Sequence, residues 1–193
     1  MALKVVLLAA VVSAATVVSQ SFAADKYTID PEHVYIQFSI QHHPWAKYLG
    51  AFHDIKGTIL FDRDNGAASS VSAEIAAESV DTSNKGRDTE LQGYGFINGW
   101  GFPKITYEST RIEKTGDNTG KITGNLTMAG IMKSVTLNVI FNGEAKSIFD
   151  GKLRVGFSAT GALNTDDFKM TALPSLNIGP EVNFMIEVEA PKD

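Results

Sequence analysis

Cysteine is absent from this chain of 193 residues. That excludes a disulfide frame, a thiol nucleophile and any cysteine-based metal site. Proline is scarce, with 6 residues, and tryptophan scarcer, with 2. Basic residues are outnumbered: 17 Lys and Arg stand against 22 Asp and Glu, a formal net charge of -5. A chain this acidic has no electrostatic footprint for nucleic acid and no basic patch for anionic lipid. Familiar catalytic signatures are missing too. There is no Gly-x-Ser-x-Gly elbow, no His-x-x-x-His pair, and no glycine-rich loop in the strand–turn–helix setting that cradles phosphate.

What is present begins with an export signal. Met1-Ala2-Leu3-Lys4 is a short basic start, Val5 to Val18 an apolar run broken only by Ser13 and Thr16, and Ser21-Phe22-Ala23 a small-x-small cleavage sequence. The run is too short for a comfortable membrane span. We expect residues 1–23 to be a signal peptide, and residues 24–193 to be one domain in the bacterial periplasm. With no cysteine after the cut, a lipoprotein anchor is not expected.

The remaining sequence alternates. Eight runs place apolar or small residues at every second position. They are Val34 to Ile40, Ile55 to Phe61, Val71 to Ile75, Ile105 to Ser109, Ile122 to Met128, Val135 to Phe141, Val155 to Leu163 and Val182 to Val188. Tyr27-Thr28-Ile29 reads as an extension of the first. Period two is the mark of half-buried strands. Turn chemistry separates them, as in Asp62-Arg63-Asp64-Asn65-Gly66, Thr115-Gly116-Asp117-Asn118 and Asn142-Gly143. Such strands form either a sandwich or a closed barrel. Small inward residues (Gly57, Ala73, Gly124, Ala159, Gly161) favour a barrel with space inside. An outer-membrane barrel is excluded, because it would turn Glu74, Glu108, Glu187 and Glu189 inward.

Alternation stops between Asp81 and Pro103. Asp81 or Ser83 can cap a short helix carrying Arg87, Asp88 and Leu91. Four glycines then mix with Phe96, Trp100 and Phe102. We read this stretch as a lid over one barrel mouth. The histidines His33, His42, His43 and His53 are read as rim residues rather than metal ligands, since strand phasing points His42 and His43 to opposite faces. Asp30-Pro31-Glu32-His33 is read as a turn rather than an acid–base pair. Arg87-Asp88 and Asp166-Asp167-Phe168-Lys169-Met170 are either ion pairs at a barrel end or contacts to a ligand head group.

These stretches, in order, resemble the YceI family. The resemblance rests on Tyr27-Thr28-Ile29-Asp30-Pro31-Glu32-His33, Phe38-Ser39-Ile40-Gln41-His42, Gly57-Thr58-Ile59-Leu60-Phe61-Asp62, Arg87-Asp88-Thr89-Glu90-Leu91, Gly124-Asn125-Leu126-Thr127-Met128-Ala129-Gly130 and Asp167-Phe168-Lys169-Met170. The chain departs from the family pattern at Val34, Ile97, Met132, Ser134 and Phe102. The resemblance implies a single eight-stranded antiparallel lipocalin-like β-barrel, capped at one end by a short helix and the aromatic, glycine-rich loop. It implies a carrier for a polyisoprenoid or similar amphiphile, such as an isoprenoid quinone, without catalysis or cofactor. The lining residues expected are Phe38, Ile40, Ile59, Tyr107, Leu126, Leu137, Phe157 and Phe184. At the mouth we expect Phe96, Trp100 and Phe102, with His42 and Arg87 at the head group. Two alternatives stay open: a small-molecule enzyme on the same barrel, and a filled barrel serving in stress or protein interaction. Stable membrane insertion is not expected, and a homodimer is compatible with the sequence.

Overall fold

Alternating segments bury their apolar side chains in one way, by an extended backbone with one face turned inward. The computed structural model describes residues 24–193, so the signal peptide expected over residues 1–23 lies outside the described residues. The strands are β1 (Asp25–Thr28), β2 (Val34–His42), β3 (Ala46–Phe52), β4 (Ile55–Phe61), β5 (Ser70–Ala76), β6 (Val80–Asp81), β7 (Lys104–Lys114), β8 (Thr119–Met128), β9 (Ile131–Lys146), β10 (Leu153–Asn164) and β11 (Ile178–Pro191). One short helix, α1 (Lys85–Leu91), follows β6. A single antiparallel sheet takes the order β1-β4-β5-β7-β8-β9-β10-β11-β2-β3-β6.

The sheet has eleven strands, which corrects the expected eight. β1 and β6 are too short to show a period. β3 reads Ala-Lys-Tyr-Leu-Gly-Ala-Phe, and Gly50 interrupts its inward set of Tyr48 and Phe52. Residues 27–29 do not extend β2; β1 crosses to lie along β4, with Tyr27 opposite Ile59.

The sheet curls into a half-barrel of lipocalin-like form. Register shifts at Ser109/Arg111, Gly156/Phe157 and Ile178/Val182 mark where strands bend. β1 spans the seam: Tyr27 pairs with Ile59 on one side and forms a bridge with Lys192 on the other. The buried Tyr27 hydroxyl donates to Glu144 Oε1 at 2.8 Å. Burial, then that carboxylate, push the phenol pKa far above its ordinary 10.0. Several outward positions carry polar pairs, beside exposed apolar ones such as Ile140 and Met185. Lys104 meets Glu74, Ser72 donates to Glu108, and Ser158 donates to Glu187.

Two local expectations resolve here. Asp30–His33 is a turn, in which Glu32 N–H donates to Asp30 Oδ1 at 3.0 Å and His33 N–H to Asp30 O at 3.1 Å. The cap of α1 is Asn84, whose Oδ1 accepts from Arg87 N–H at 3.1 Å. The expected caps are otherwise engaged: Asp81 Oδ1 accepts from Ser83 N–H, and Ser83 takes a positive φ of 58° that ends the preceding strand.

Asp30 is also bound by the Arg154 guanidinium, which bonds Asp150 as well at 3.0 Å. Burial by itself would raise the Asp30 pKa. Arg154, the Glu32 amide and His33 outweigh it and hold the carboxyl below its ordinary 3.8. A depressed folded pKa contributes stability above the unfolded value, and loses it as pH falls through the folded one. Asp30→Asn is expected to cost about 1–3 kcal/mol at neutral pH, since Arg154 loses the closest of its charged acceptors. Urea melts of the two proteins should converge as pH falls below the ordinary carboxylate range and Asp30 is protonated. A gap that stays constant with pH would refute the assignment.

Candidate functional site

The inward faces of the strands do not meet. They enclose a cavity of about 600 Å³, within the roughly 300–1,000 Å³ common for small-molecule sites. Its wall runs along β8 from Gly120 to Met128, about 26 Å at roughly 3.3 Å per residue. The space is therefore long and narrow. Aliphatic and aromatic side chains of β2, β4, β5 and β7–β11 form its middle. Phe38, Ile40, Ile59, Tyr107, Leu126, Leu137, Phe157 and Phe184 all stand in this wall. Tyr107 is the polar one among them. Its hydroxyl is directed at Ile122 O (3.0 Å) and Val135 O (3.3 Å), and burial pushes its pKa up to about 12. The phenol is neutral at physiological pH and its proton is held by backbone.

Three wall rings lie over glycines. An added Cβ would fall 2.3 Å from the Phe38 ring at Gly50, 2.4 Å from Tyr107 at Gly124 and 2.6 Å from Phe184 at Gly161. The small inward residues thus act in two ways. Ala73 and Ala159 face the lumen directly, whereas Gly124 and Gly161 give rings room to lie flat against the sheet.

One end is closed. Val80, Ile97, Met170 and Leu173 are buried across it, and Gln92 Nε2 donates to Ala77 O at 2.9 Å to pin the chain after α1. α1 offers Leu91 and Arg87 to the wall, and Phe96 joins them. Arg87 is firmly placed. Nε donates to Thr82 Oγ1 and an Nη to Thr82 O, both at 2.8 Å, and the guanidinium lies 4.5 Å over the Tyr48 ring. His42 stacks on Tyr48 at 4.5 Å but stands behind it, outside the wall. Trp100, 71% exposed, and Phe102, which covers Gly130, also lie outside. No periodicity governs an irregular segment, so sequence could not say which of its aromatics turn inward. Tyr48 was missed because β3 was missed.

The other end is open and polar. Phe61, Phe141 and Phe157 meet there with ring centroids 5.2–5.4 Å apart. Arg63 lies 5.4 Å over Phe141. Exposed residues of the Asp62–Gly66 loop and of the turn around Asp117 and Asn118 complete the rim. Sequence showed these only as turn chemistry. The carboxylates of the wall (Asp62, Asp64, Glu113, Asp117) belong to this rim.

The remaining polar candidates disperse. His33 bonds Asp30 at 3.0 Å and His53 bonds Asp81 at 3.3 Å. Among the described residues no group of three or more His, Cys, Asp or Glu could hold a metal ion. Asp88 accepts from the Thr82 amide and hydroxyl. Asp167 faces Lys133 at 3.8 Å, while Phe168 and Met170 are buried. The filled-barrel alternative requires a lumen without space, and this lumen has it.

Comparison with known proteins follows the same lines. The family model of the YceI-like domain matches residues 27–190. Protein YceI of Salmonella newport (strain SL254) is 39% identical over 174 residues, 88% of each chain. The crystal structure of Campylobacter jejuni YCEI protein superposes with a TM-score of 0.71 at 33% identity, covering 79% of this chain and 90% of that one. A polyisoprenoid binding domain from Saccharophagus degradans shares the fold at 13% identity, with a TM-score of 0.65 and coverage of 86% and 98%.

Gly124→Ala tests how the wall is held. The new Cβ would meet the Tyr107 ring at 2.4 Å and Glu108 O at 2.7 Å, so the ring must move into the lumen. We expect a loss of about 1–3 kcal/mol and a smaller capacity for an apolar fluorescent dye. Unchanged melting temperature and dye capacity would show that the ring is not held by this contact.

Proposed function

The chain belongs to the YceI-like family, and on that premise we propose that it is an exported lipid carrier whose lumen holds a long isoprenoid-type chain, such as that of a prenyl quinone. The observation that carries this reading is the shape and chemistry of the lumen. It is narrow, about 26 Å long on the spacing of β8, and apolar throughout its middle, with polar groups at its two ends. Burial of apolar area at about 25 cal/mol per Å² holds such a tail without specific polar contacts. The family match and the fold shared with a polyisoprenoid binding domain support the same ligand class.

Phe38, Ile40, Ile59, Tyr107, Leu126, Leu137, Phe157 and Phe184 contact the tail in this reading. Arg87 and Phe96 stand at the closed end, where Arg87 over the Tyr48 ring is a charged and aromatic pair able to orient a head group. His42 acts through Tyr48. Trp100 and Phe102 take no part. Residues 1–23 direct the chain to the periplasm and are removed after Ala23; the basic start, apolar run and small-x-small sequence support this. No helix among the described residues is long and apolar enough to cross a membrane. A carrier fits the lumen better than an enzyme does, because the wall's carboxylates stand at the solvent rim, away from the buried middle.

Mass spectrometry of an organic extract of the purified protein tests the proposal. We expect prenyl lipid near one equivalent per chain. Ala159→Phe, which fills the lumen from β10, should lower that amount several-fold and cost about 1–3 kcal/mol. A clean extract, with no uptake of added prenyl quinone, would overturn the reading.

A further inference from the structure

β9 runs on past the end of its partner β8, while β10 stays paired with β11 as far as Arg154 opposite Pro191. β8 ends its pairing at Thr119, opposite Ile140, and Phe141 N–H donates to Asn118 O at 2.7 Å. Beyond Phe141, β9 continues to Lys146 paired with β10 alone. At roughly 3.3 Å per residue this extension of the hairpin runs about 16 Å past Phe141. It leaves from the open end of the lumen, since Phe141 and Phe157 are themselves wall residues there.

The tip of this ribbon is chemically unusual. Ile148 is 90% exposed and Phe149 94% exposed. They sit in a tight turn closed by Ser147 N–H donating to Lys152 O at 2.9 Å and Gly151 N–H to Ser147 O at 3.0 Å. The turn is therefore ordered, and its two apolar side chains project from it. Lys146 and Lys152, both exposed, flank them. Asp150, the one anion of the turn, is engaged by Arg154 at 3.0 Å.

Resting on the lumen reading above, we infer that this tip is a docking element for a phospholipid bilayer surface. Ile148 and Phe149 enter the boundary between headgroups and acyl chains, while Lys146 and Lys152 remain at the level of the phosphates. An aromatic and an aliphatic side chain beside lysines is the arrangement that partitions into that boundary, with the lysine stems lying along apolar surface and the ammonium groups in water. Three observations favour a lipid surface. The tip stands at the end where the lumen opens, so docking brings the opening toward the phase in which a prenyl chain dissolves. The two apolar side chains have almost no protein cover. The charge flanking them matches phosphate, although the chain as a whole carries -5. Insertion rather than a long-range field must therefore hold the protein, and binding to zwitterionic vesicles should change little with salt.

The closed end also bears exposed aromatics, Trp45, Tyr94 and Trp100, and they supply an internal control. The chain's two tryptophans are both there, so native fluorescence reports on that end alone. The full chain and an Ile148→Ser/Phe149→Ser variant would be sedimented with vesicles of phosphatidylethanolamine and phosphatidylcholine, and Phe149→Trp would be examined by fluorescence. We expect the double variant to lose vesicle binding by about tenfold or more. Phe149→Trp should gain a blue-shifted component quenched by brominated acyl chains, while Trp45 and Trp100 emission stays unchanged. Equal sedimentation of variant and parent, failure of both to sediment, or a blue shift of the native tryptophans would overturn the proposal. Uptake of prenyl quinone from detergent solution separates the two readings. The double variant should retain it, because neither residue lines the lumen. A parent chain that docks through the tip but takes up no quinone would sink the lumen reading and leave docking intact.

Discussion

A sheet that keeps space in its middle forgoes the packing that ordinarily stabilises a core, since close-packed interiors gain dispersion energy from every filled contact. The wall must then be firm by itself. Rings lying over Gly50, Gly124 and Gly161 meet this need. Each of these three rings lies against neighbouring backbone, so this part of the wall is packed laterally, while Phe61 reaches across the open end to Phe141 and Phe157. The same demand explains Tyr107, whose hydroxyl is satisfied by strand carbonyls within the wall, and the bulges that let long strands bend without breaking pairing. At the closed end the irregular stretch after α1 packs Ile97, Met170 and Leu173 as an ordinary small core.

The asymmetry of the two ends follows from how each is built. The closed end is made by side chains arriving from non-strand segments, and there Arg87 is fixed by Thr82 and Tyr48. The open end is made by turns, which tolerate charge because they face water. A molecule with one polar terminus and a long apolar remainder therefore meets two different environments, a rigid guanidinium within the wall at one end and a hydrated rim at the other. This difference gives the lumen a direction.

Much of this was legible in sequence, for a definite reason. Side chains of a strand alternate with a period of two, so a single apolar residue fixes the direction of all its neighbours. Phe38, Leu126 and Phe184 stand in the wall with the others because period admits no alternative once the strand is recognised. Legibility ended where period ended. Trp100 and Phe102 look like Phe96 in sequence, yet only Phe96 turns inward, and nothing local decides this. Gly50 concealed β3 and with it Tyr48, the ring on which Arg87 lies. Arg63 was hidden by its turn, whose composition answers to backbone geometry and water rather than to the lumen. Asn84 displaced Asp81 and Ser83 as the helix cap because Asp81 was already spent on the Ser83 amide.

The place of β11 has a consequence for the order of assembly. It lies between β10 and β2, with Val188 opposite Val34, and the seam needs Tyr27 beside Lys192. A chain emerging vectorially, from a ribosome or through a narrow pore, delivers β2 and β3 first and their partner last. The early hairpin must wait without its neighbour while almost the whole polypeptide appears. Contacts of such sequence separation make closure a late and slow event. Until it occurs the chain has an unpaired, partly apolar edge, and so remains a client for any holdase present and a passenger still pliable enough to be threaded.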